Sequence, residues 1–480
     1  MTGAALSVGA PWFPPRVEDA FASRTGGPAT SAVRDFLRAL SAGALSLNAV
    51  TAIDADRAYA DAERLDALTA RGHSCGPLHG MPILVKDNID VRGLPSTNGS
   101  SSHDGSVATS DAVMVSRLRA AGAIPVGKTN MDEIALGVTG ANSRFPRARN
   151  ARDPLRLPGG SSGGSAVAVA AGLVPGALGT DTAGSVRTPS AFNGVTAIRP
   201  TTGLLSTDGV TPLSPMFDTI GPIGRNAGVV LDLLDAMLGS ASPHTSWRIE
   251  RFPGDGDAPL AGLRIGVPQA HFFEGVDPEV AAAVRAALEV LGGLGAEVVD
   301  LRLTGAERAH PVMSTLMLAD AFAIHRELVD GGTLAPPVKE RVELGRDVTL
   351  DEYRDALAWQ RDWRGRVARA FDDVDLVMTP TTPIVAPTIG DSARELESVR
   401  RATQFTVPWS LAGMPAVTVP CGIASGMPVG AQLVGPAGSD RALLRVARRY
   451  EHETLWSDRY ESGAPSGAVD EGDESWHDGL

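Results

Sequence analysis

Residues 158–187 read PGGSSGGSAVAVAAGLVPGALGTDTAGSVR, and two ordinary meanings of a Gly/Ser-rich run fail here. A flexible linker does not lead straight into an apolar helix, as Gly163-Gly164-Ser165 leads into AVAVA. A phosphate-binding loop of the form G-x-x-x-x-G-K-[ST] needs a lysine, and the stretch has none. A third meaning stays open. Gly160-Ser161-Ser162-Gly163-Gly164 fits G-x-S-x-G, which would make Ser162 the nucleophile of an α/β-hydrolase esterase. That pattern should follow a strand, whereas ARDPLRLP at 151–158 is charged and interrupted by prolines.

Outward from this centre, short apolar runs alternate with helical segments between Pro82 and Thr219: PILVKD, DAVMVSRLRAAGA, IPVGKT, SAVAVAAGLV, GALGTD. Such alternation predicts an α/β fold with a largely parallel or mixed sheet. LRIGVP at 263–268 restarts the pattern, with helices expected at 278–293, 308–330 and 350–372 and a strand at 296–301. The strands DLVMTP, PAVTVPCG and VGAQLVG and the helix DRALLRVARRYE close it. Two amphipathic stretches, 29–41 and 48–71, come first; the second is alanine-rich and stops at Gly72, as a helix end should. Residues 1–28 read as an irregular N-terminal arm and 240–257 as a polar linker or excursion. Residues 461–480 are acidic and apolar-poor, and are expected to be disordered. One domain is expected over 29–460.

Composition bounds the function classes. The chain has 480 residues and a formal net charge of −13, which argues against nucleic acid or an anionic membrane as the main partner. Two cysteines, Cys75 and Cys421, give neither a disulfide framework nor zinc-site spacing. The first basic residue is Arg16, so no secretory leader is read at the start. The apolar run from Ala166 to Leu178 is broken by Gly172 and Pro175 and is too short to span a bilayer. The expectation is a soluble, cytoplasmic protein. Of the 43 basic residues only Lys86, Lys128 and Lys339 are lysines. In a chain that otherwise uses arginine, each lysine invites a question.

The central stretch resembles the signature of the amidase-signature family, and five ordered blocks share the likeness. GMPILVKDNIDVRGLPSTNGS at 80–100 looks like the family's lysine motif, and AIPVGKTNMDEIALG at 123–137 like its next block. TPLSPMFDTIGPIGR at 211–225, VMTPTTPIVAP at 377–387 and PVGAQLVGP at 428–436 resemble later ones. The spacings from Lys86 to Ser161 and from Ser161 to Ser185 also match the family's arrangement. The resemblance implies one large α/β/α domain, with a mixed twisted sheet flanked by helices. It also implies a Ser185 nucleophile, a bridging Ser161 after a cis peptide bond, and Lys86 as base. Backbone N–H groups of Thr182, Ala183 and Gly184 would form the oxyanion hole, supported by Ser162, Asp181 and Arg187. The family commonly has two glycines where this chain has Ala183-Gly184; alanine there is strained if that backbone lies at positive φ. Neither metal nor organic cofactor is implied.

That chemistry explains the residue types. A serine hydroxyl needs a base within hydrogen-bond reach, and that base needs an orienter. Lys86 must be neutral to accept a proton, and burial lowers a lysine pKa because the ammonium loses its hydration. Ile83, Leu84, Val85 and Ile89 surround it in sequence. Arginine cannot replace it, since the guanidinium does not deprotonate in proteins. Asp181 and Arg187 flank the nucleophile's loop and have two readings: a pair that holds its shape, or two separate surface charges.

The substrate is less legible. The wording of DGVTPLSPMFDTIGPIGR is closest to small arylalkyl-amide hydrolases, such as indoleacetamide and mandelamide hydrolases, and Met131, Ala135 and Leu136 are candidates for the acyl pocket. The expected partner is a small-molecule amide, with neither nucleic acid nor membrane; a homodimer is left open. The alternative within the family is the glutaminase subunit of a tRNA-dependent amidotransferase, which needs protein partners and tRNA. That subunit carries a tyrosine-rich motif near ELGRDVTLDEYRDALAWQRD, where this chain has Tyr353 alone. One expectation is testable at once: deletion of residues 461–480 leaves amidase activity and melting temperature unchanged, and a fall of several degrees would show that the tail docks.

Overall fold

The computed structural model describes residues 26–103, 107–239, 260–390, 400–454 and 456. The expectations for residues 1–25 of the arm, for the linker at 240–257 and for the tail at 461–480 lie outside the described residues.

Eleven strands form one mixed sheet. They are β1 Val50–Ile53, β2 Pro82–Lys86, β3 Ile124–Thr129, β4 Gly176–Asp181, β5 Thr196–Arg199, β6 Thr219–Gly224, β7 Arg264–Pro268, β8 Glu297–Leu301, β9 Leu376–Pro380, β10 Ala416–Ala424 and β11 Met427–Val434. The order across the sheet is β1-β3-β2-β4-β6-β5-β10-β11-β9-β7-β8. Strands β3, β2 and β4 are parallel neighbours, and β6 returns antiparallel beside β4 with Thr219 opposite Asp181. The carboxyl ends of β2, β3 and β4 and the amino end of β6 therefore share one edge. In open α/β sheets this edge is where ligands bind.

Helices cover both faces because successive side chains of a strand point to opposite sides. Ile83, Val85, Leu178 and Ile198 join the core under α3 Val113–Ala120, α6 Ala227–Leu238, α7 Pro278–Gly293 and the helix Asp440–Thr454. Their alternates Leu84, Ala177 and Ala197 join the opposite core, under α1 Pro28–Ser41, α2 Ala55–Thr69 and α4 Gly163–Ala170. A third core gathers around α8 Ala309–Asp330, α9 Pro336–Glu343, α10 Leu350–Ala370 and the helix Val407–Ala412. Here Trp359 stacks on Trp363, and Phe272 on Trp409. Every residue of α4 from Gly163 to Val169 is buried, which fits a helix apolar on all sides. Its Gly164 has no alternative: a Cβ there would lie 2.5 Å from both Ala49 O and Asn130 N.

The expected elements appear within a few residues of their predicted bounds, with one correction. The stretch 48–71 is not one helix. Val50–Ile53 is strand β1, paired antiparallel with β3, and α2 begins only at Ala55, with Asp54 accepting from Arg57 N at its start. The alanine-rich remainder hid a short strand whose residues are mostly β-branched. Among the described residues no helix is long and apolar enough to cross a membrane.

Candidate active site

Lys86 is the last residue of β2, and its side chain is fully buried. Its Nζ lies 2.7 Å from Ser161 Oγ and 2.7 Å from Thr180 Oγ1. Asn88 Nδ2 donates to the same threonine hydroxyl over 3.2 Å. Removal from water pushes the Lys86 ammonium down to about 7, against the opposing pull of Asp132, Asp181 and Asp218. None of the three is a contact partner of Lys86. Asp132 accepts from Thr139 and Gly140 amides, and Asp218 from Thr182 Oγ1 and the Leu213 and Ser214 amides. Burial raises the pKa of both carboxyls.

Ser161 follows a cis peptide bond at Gly160–Ser161. The glycines before it are required. Gly159 has φ +73°, and a Cβ on Gly160 would lie 1.9 Å from Asp132 Oδ2. Asp132 N in turn donates to Ser161 O at 3.2 Å, so the loop after β3 and the serine loop are pinned together.

Ser185 sits in the turn between β4 and helix α5 Arg187–Asn193 and opens onto a cavity of about 330 Å³. No hydrogen bond joins its hydroxyl to that of Ser161 in this structure; the two loops meet through Ser162 N donating to Ser185 O at 3.1 Å. Catalytic contacts of this kind commonly close only in the substrate complex. Gly184, at φ +136°, tolerates no side chain, since a Cβ would meet Thr406 Oγ1 at 2.2 Å. Ala183 is not among the left-handed residues, so the strain anticipated for alanine there does not arise. Its carbonyl accepts from Thr406 Oγ1 at 2.6 Å.

The oxyanion assignment changes. Gly184 N–H is already donated to Asp181 Oδ1 at 2.9 Å, so it is not free to meet an oxyanion. Thr182 and Ala183 keep N–H groups without a protein acceptor among the described residues.

Of the two readings for Asp181 and Arg187, the structure shows the pair, and both are fully buried. Arg187 Nε and Nη2 reach the two carboxylate oxygens at 3.1 Å each, and its Nη1 donates to Thr406 O. A second buried cation, Arg199 at the end of β5, also reaches Asp181 at 3.1 Å. Burial alone would raise the Asp181 carboxyl, but Arg187 and Arg199 outweigh it and hold it well below the usual carboxylate range. Asp181 spends its oxygens on the amides of Gly184 and Val186 as well, which fixes the turn carrying Ser185.

Ser162 lacks the setting that the esterase reading requires. It is fully buried, its hydroxyl donates to Thr180 O at 3.1 Å and accepts from Thr180 N at 3.2 Å, and α4 is not preceded by a strand. The esterase elbow is therefore absent at this position.

Of the candidate pocket residues, Ala135 and Leu136 line the cavity, whereas Met131 is fully buried in the core behind it. Ile134 and Ala135 are both left-handed, at φ 48° and 63°. This backbone is uncommon for a β-branched residue and is held by Ile134 N donating to Asn98 O. The rest of the lining was not legible in the sequence. It combines Leu213, Met313, Met317 and Val407 with His310 and Arg341. His310, Met313, Met317 and Arg341 sit in helices with no local motif, Val407 opens a short helix, and Leu213 stands in the block at 211–225 with nothing there to mark it as lining. Thr180, Asp132 and Asp218 do stand inside the quoted blocks, but only the fold shows them converging on Lys86.

Comparison with known proteins agrees with this geometry. The family model described as Amidase matches residues 31–444. The A-type subunit of glutamyl-tRNA(Gln) amidotransferase from Cupriavidus necator is 37% identical over 485 residues, spanning 92% of this chain and 96% of that protein. A crystal structure of an amidase superposes with a TM-score of 0.79 at 33% identity, covering 91% of this chain and 98% of that one. The native peptide amidase from Stenotrophomonas maltophilia superposes with a TM-score of 0.74 at 28% identity, covering 93% and 98%. The first of these relatives corrects one expectation. A chain similar to part of a tRNA-dependent amidotransferase cannot have nucleic acid excluded by its net charge of −13, because the charge of one chain says nothing of a partner chain's surface. With the family model matching most of its length and the signature residues gathered at one sheet edge, the chain belongs to the amidase-signature family.

Proposed function

We propose that the protein hydrolyses a carboxylic amide through an acyl-enzyme on Ser185, with Lys86 as the base and Ser161 as the bridge. The observation that supports this most is the fully buried Lys86, 2.7 Å from Ser161 Oγ and with its pKa lowered to about 7. A neutral amine has one lone pair for the Ser161 proton and N–H groups for Thr180 Oγ1. As Ser185 Oγ bonds to the amide carbon, its proton passes to Ser161 and the Ser161 proton passes to Lys86. The carbonyl oxygen becomes an oxyanion facing the Thr182 and Ala183 amides; such donors lower a barrier of this kind by ~3 kcal/mol each. The proton returns through Ser161 to the nitrogen of the leaving amine or ammonia. Water then repeats the cycle on the ester and releases the acid.

The cavity is small and largely apolar near the nucleophile, which favours a small amide with an alkyl or arylalkyl body. A second reading has its own support. Relatives 37–38% identical to this chain carry the name of the A-type subunit of glutamyl-tRNA(Gln) amidotransferase, so the acyl group could instead be the side chain of glutamine. Ammonia release from purified protein alone, with a panel of primary amides, separates the two. Turnover of glutamine that appears only with a second protein and tRNA favours the amidotransferase reading.

Two substitutions test the chemistry. An arylphosphonate serine probe labels Ser185 in the wild type and does not label folded Ser185→Ala; labelling at Ser162 would overturn the assignment of the nucleophile. Lys86→Arg is nearly as damaging as Lys86→Met, each lowering kcat/KM by ~10²–10⁴-fold, because arginine stays protonated. Wild-type kcat/KM falls with acid as Lys86 is charged, through about pH 7. An arginine variant keeping more than about a tenth of wild-type activity at neutral pH would remove Lys86 from the base role.

A further inference from the structure

We propose that the cavity in front of Ser185 selects amides that carry a carboxylate at the end remote from the scissile bond and no ammonium group. This rests on the amidase reading above and names its substrate class. The cavity is lined by apolar Leu136, Leu213 and Met313 together with Arg341, Arg400 and His310, and of these His310 and Arg400 also face away from Ser185 into a neighbouring cavity. That second cavity, of about 670 Å³, adds His271 and Arg401. The two form one path from the nucleophile to a cationic outer chamber.

The cations there differ in how far they are committed. Arg401 is occupied, donating to Gly275 O at 3.1 Å and to Asp277 Oδ1 at 3.3 Å. Arg341 makes one hydrogen bond, to Leu136 O at 3.3 Å, and no ion pair among the described residues. The nearest carboxylate acting on it is Asp132, whose oxygens already accept from Thr139 and Gly140. Arg400 has neither a hydrogen bond nor an ion pair among the described residues. His310 touches Thr403 Oγ1 at 3.2 Å. Burial and then the neighbouring Arg400, Arg341 and His271 lower its pKa, as an unneutralised positive field requires.

No carboxylate among the described residues lines the inner cavity, and Glu307 alone lines the outer one. A buried cation gains most from a charge-assisted hydrogen bond to an anion, and Arg does so with two parallel N–H groups. A ligand ammonium in the inner cavity, by contrast, would lose water where the charged side chains lining it, Arg341 and Arg400, are both cations. Glutamine carries both groups on one carbon, so seating its carboxylate beside Arg341 and Arg400 brings its ammonium among the same cations.

The test compares three amides of equal chain length: glutaramate, which ends in a carboxylate; glutamine, which adds the ammonium; and pentanamide, which has neither. The expected kcat/KM for glutaramate exceeds that of each of the others by about tenfold or more. In Arg341→Met, and to a smaller degree in the exposed-site variant Arg400→Met, the glutaramate-to-pentanamide ratio falls about tenfold, through KM. Because Arg400 is exposed, its variant remains informative if Arg341→Met folds poorly. Protection of Ser185 from the serine probe by each amide reads binding even where turnover is slow. Equal values for glutaramate and pentanamide, a preference for glutamine, or an unchanged ratio in both variants overturns the proposal while leaving the amidase reading intact. Failure of the probe to label Ser185 counts against the amidase reading itself.

Discussion

A lysine taken wholly out of water must be met by a carboxylate or give up its proton, because the interior does not repay the lost hydration of an isolated ammonium. Lys128 and Lys86 show the two situations on adjacent strands. Both are fully buried. Lys128 is surrounded by acceptors, with Asp87 O, Pro95 O and Ser96 Oγ within 3.3 Å and the Asp87 carboxylate at 4.0 Å. Lys86 touches two hydroxyls, and the three carboxylates whose field it feels are each bound elsewhere. The site depends on that difference. A contact ion pair would hold Lys86 charged and leave Ser161 without an acceptor for its proton.

The strand ends make this arrangement possible. Parallel β2, β3 and β4 bring Lys86, the Asp132 loop and Asp181 to one edge, and antiparallel β6 delivers Asp218 beside them. Asp181 is the shared support. It is neutralised by Arg187 and Arg199 and holds the Gly184 and Val186 amides, so its charge shapes the turn that carries Ser185 instead of pairing with Lys86. Glycine serves the same end at Gly160 and Gly184, where a side chain would overlap Asp132 and Thr406.

Much of this was legible in the sequence where function is written in short motifs. The strand–helix alternation pointed to the mixed sheet, and the block resemblance singled out Lys86 and Ser161, which the structure brings within 2.7 Å, and Ser185 on the neighbouring turn. What escaped depends on geometry that no local pattern carries. Gly184 was assigned as an oxyanion donor from its place before the nucleophile, but its amide turns inward to Asp181. Met131, Ala135 and Leu136 are each readable as pocket or core from their block, and only the fold separates them: Ala135 and Leu136 line the cavity and Met131 lies in the core. Arg199, His310 and Arg341 come from distant segments, and only the tertiary fold brings them to the site. Net charge misled for a related reason: it describes a whole chain, whereas recognition is local and can belong to a partner.

The central claim is that Lys86 loses its proton near neutral pH and so is available as a neutral amine there, and this can be measured directly. The chain has three lysines, so protein labelled with ¹³Cε-lysine gives three side-chain signals, and the Lys86→Met variant identifies one by its loss. Followed across pH in the free enzyme, the Lys86 signal should titrate at about 7, below the value of about 8 to which burial lowers Lys128. A Lys86 signal that titrates near 10.5, the ordinary lysine value, would mean an ammonium at neutral pH and would contradict the account.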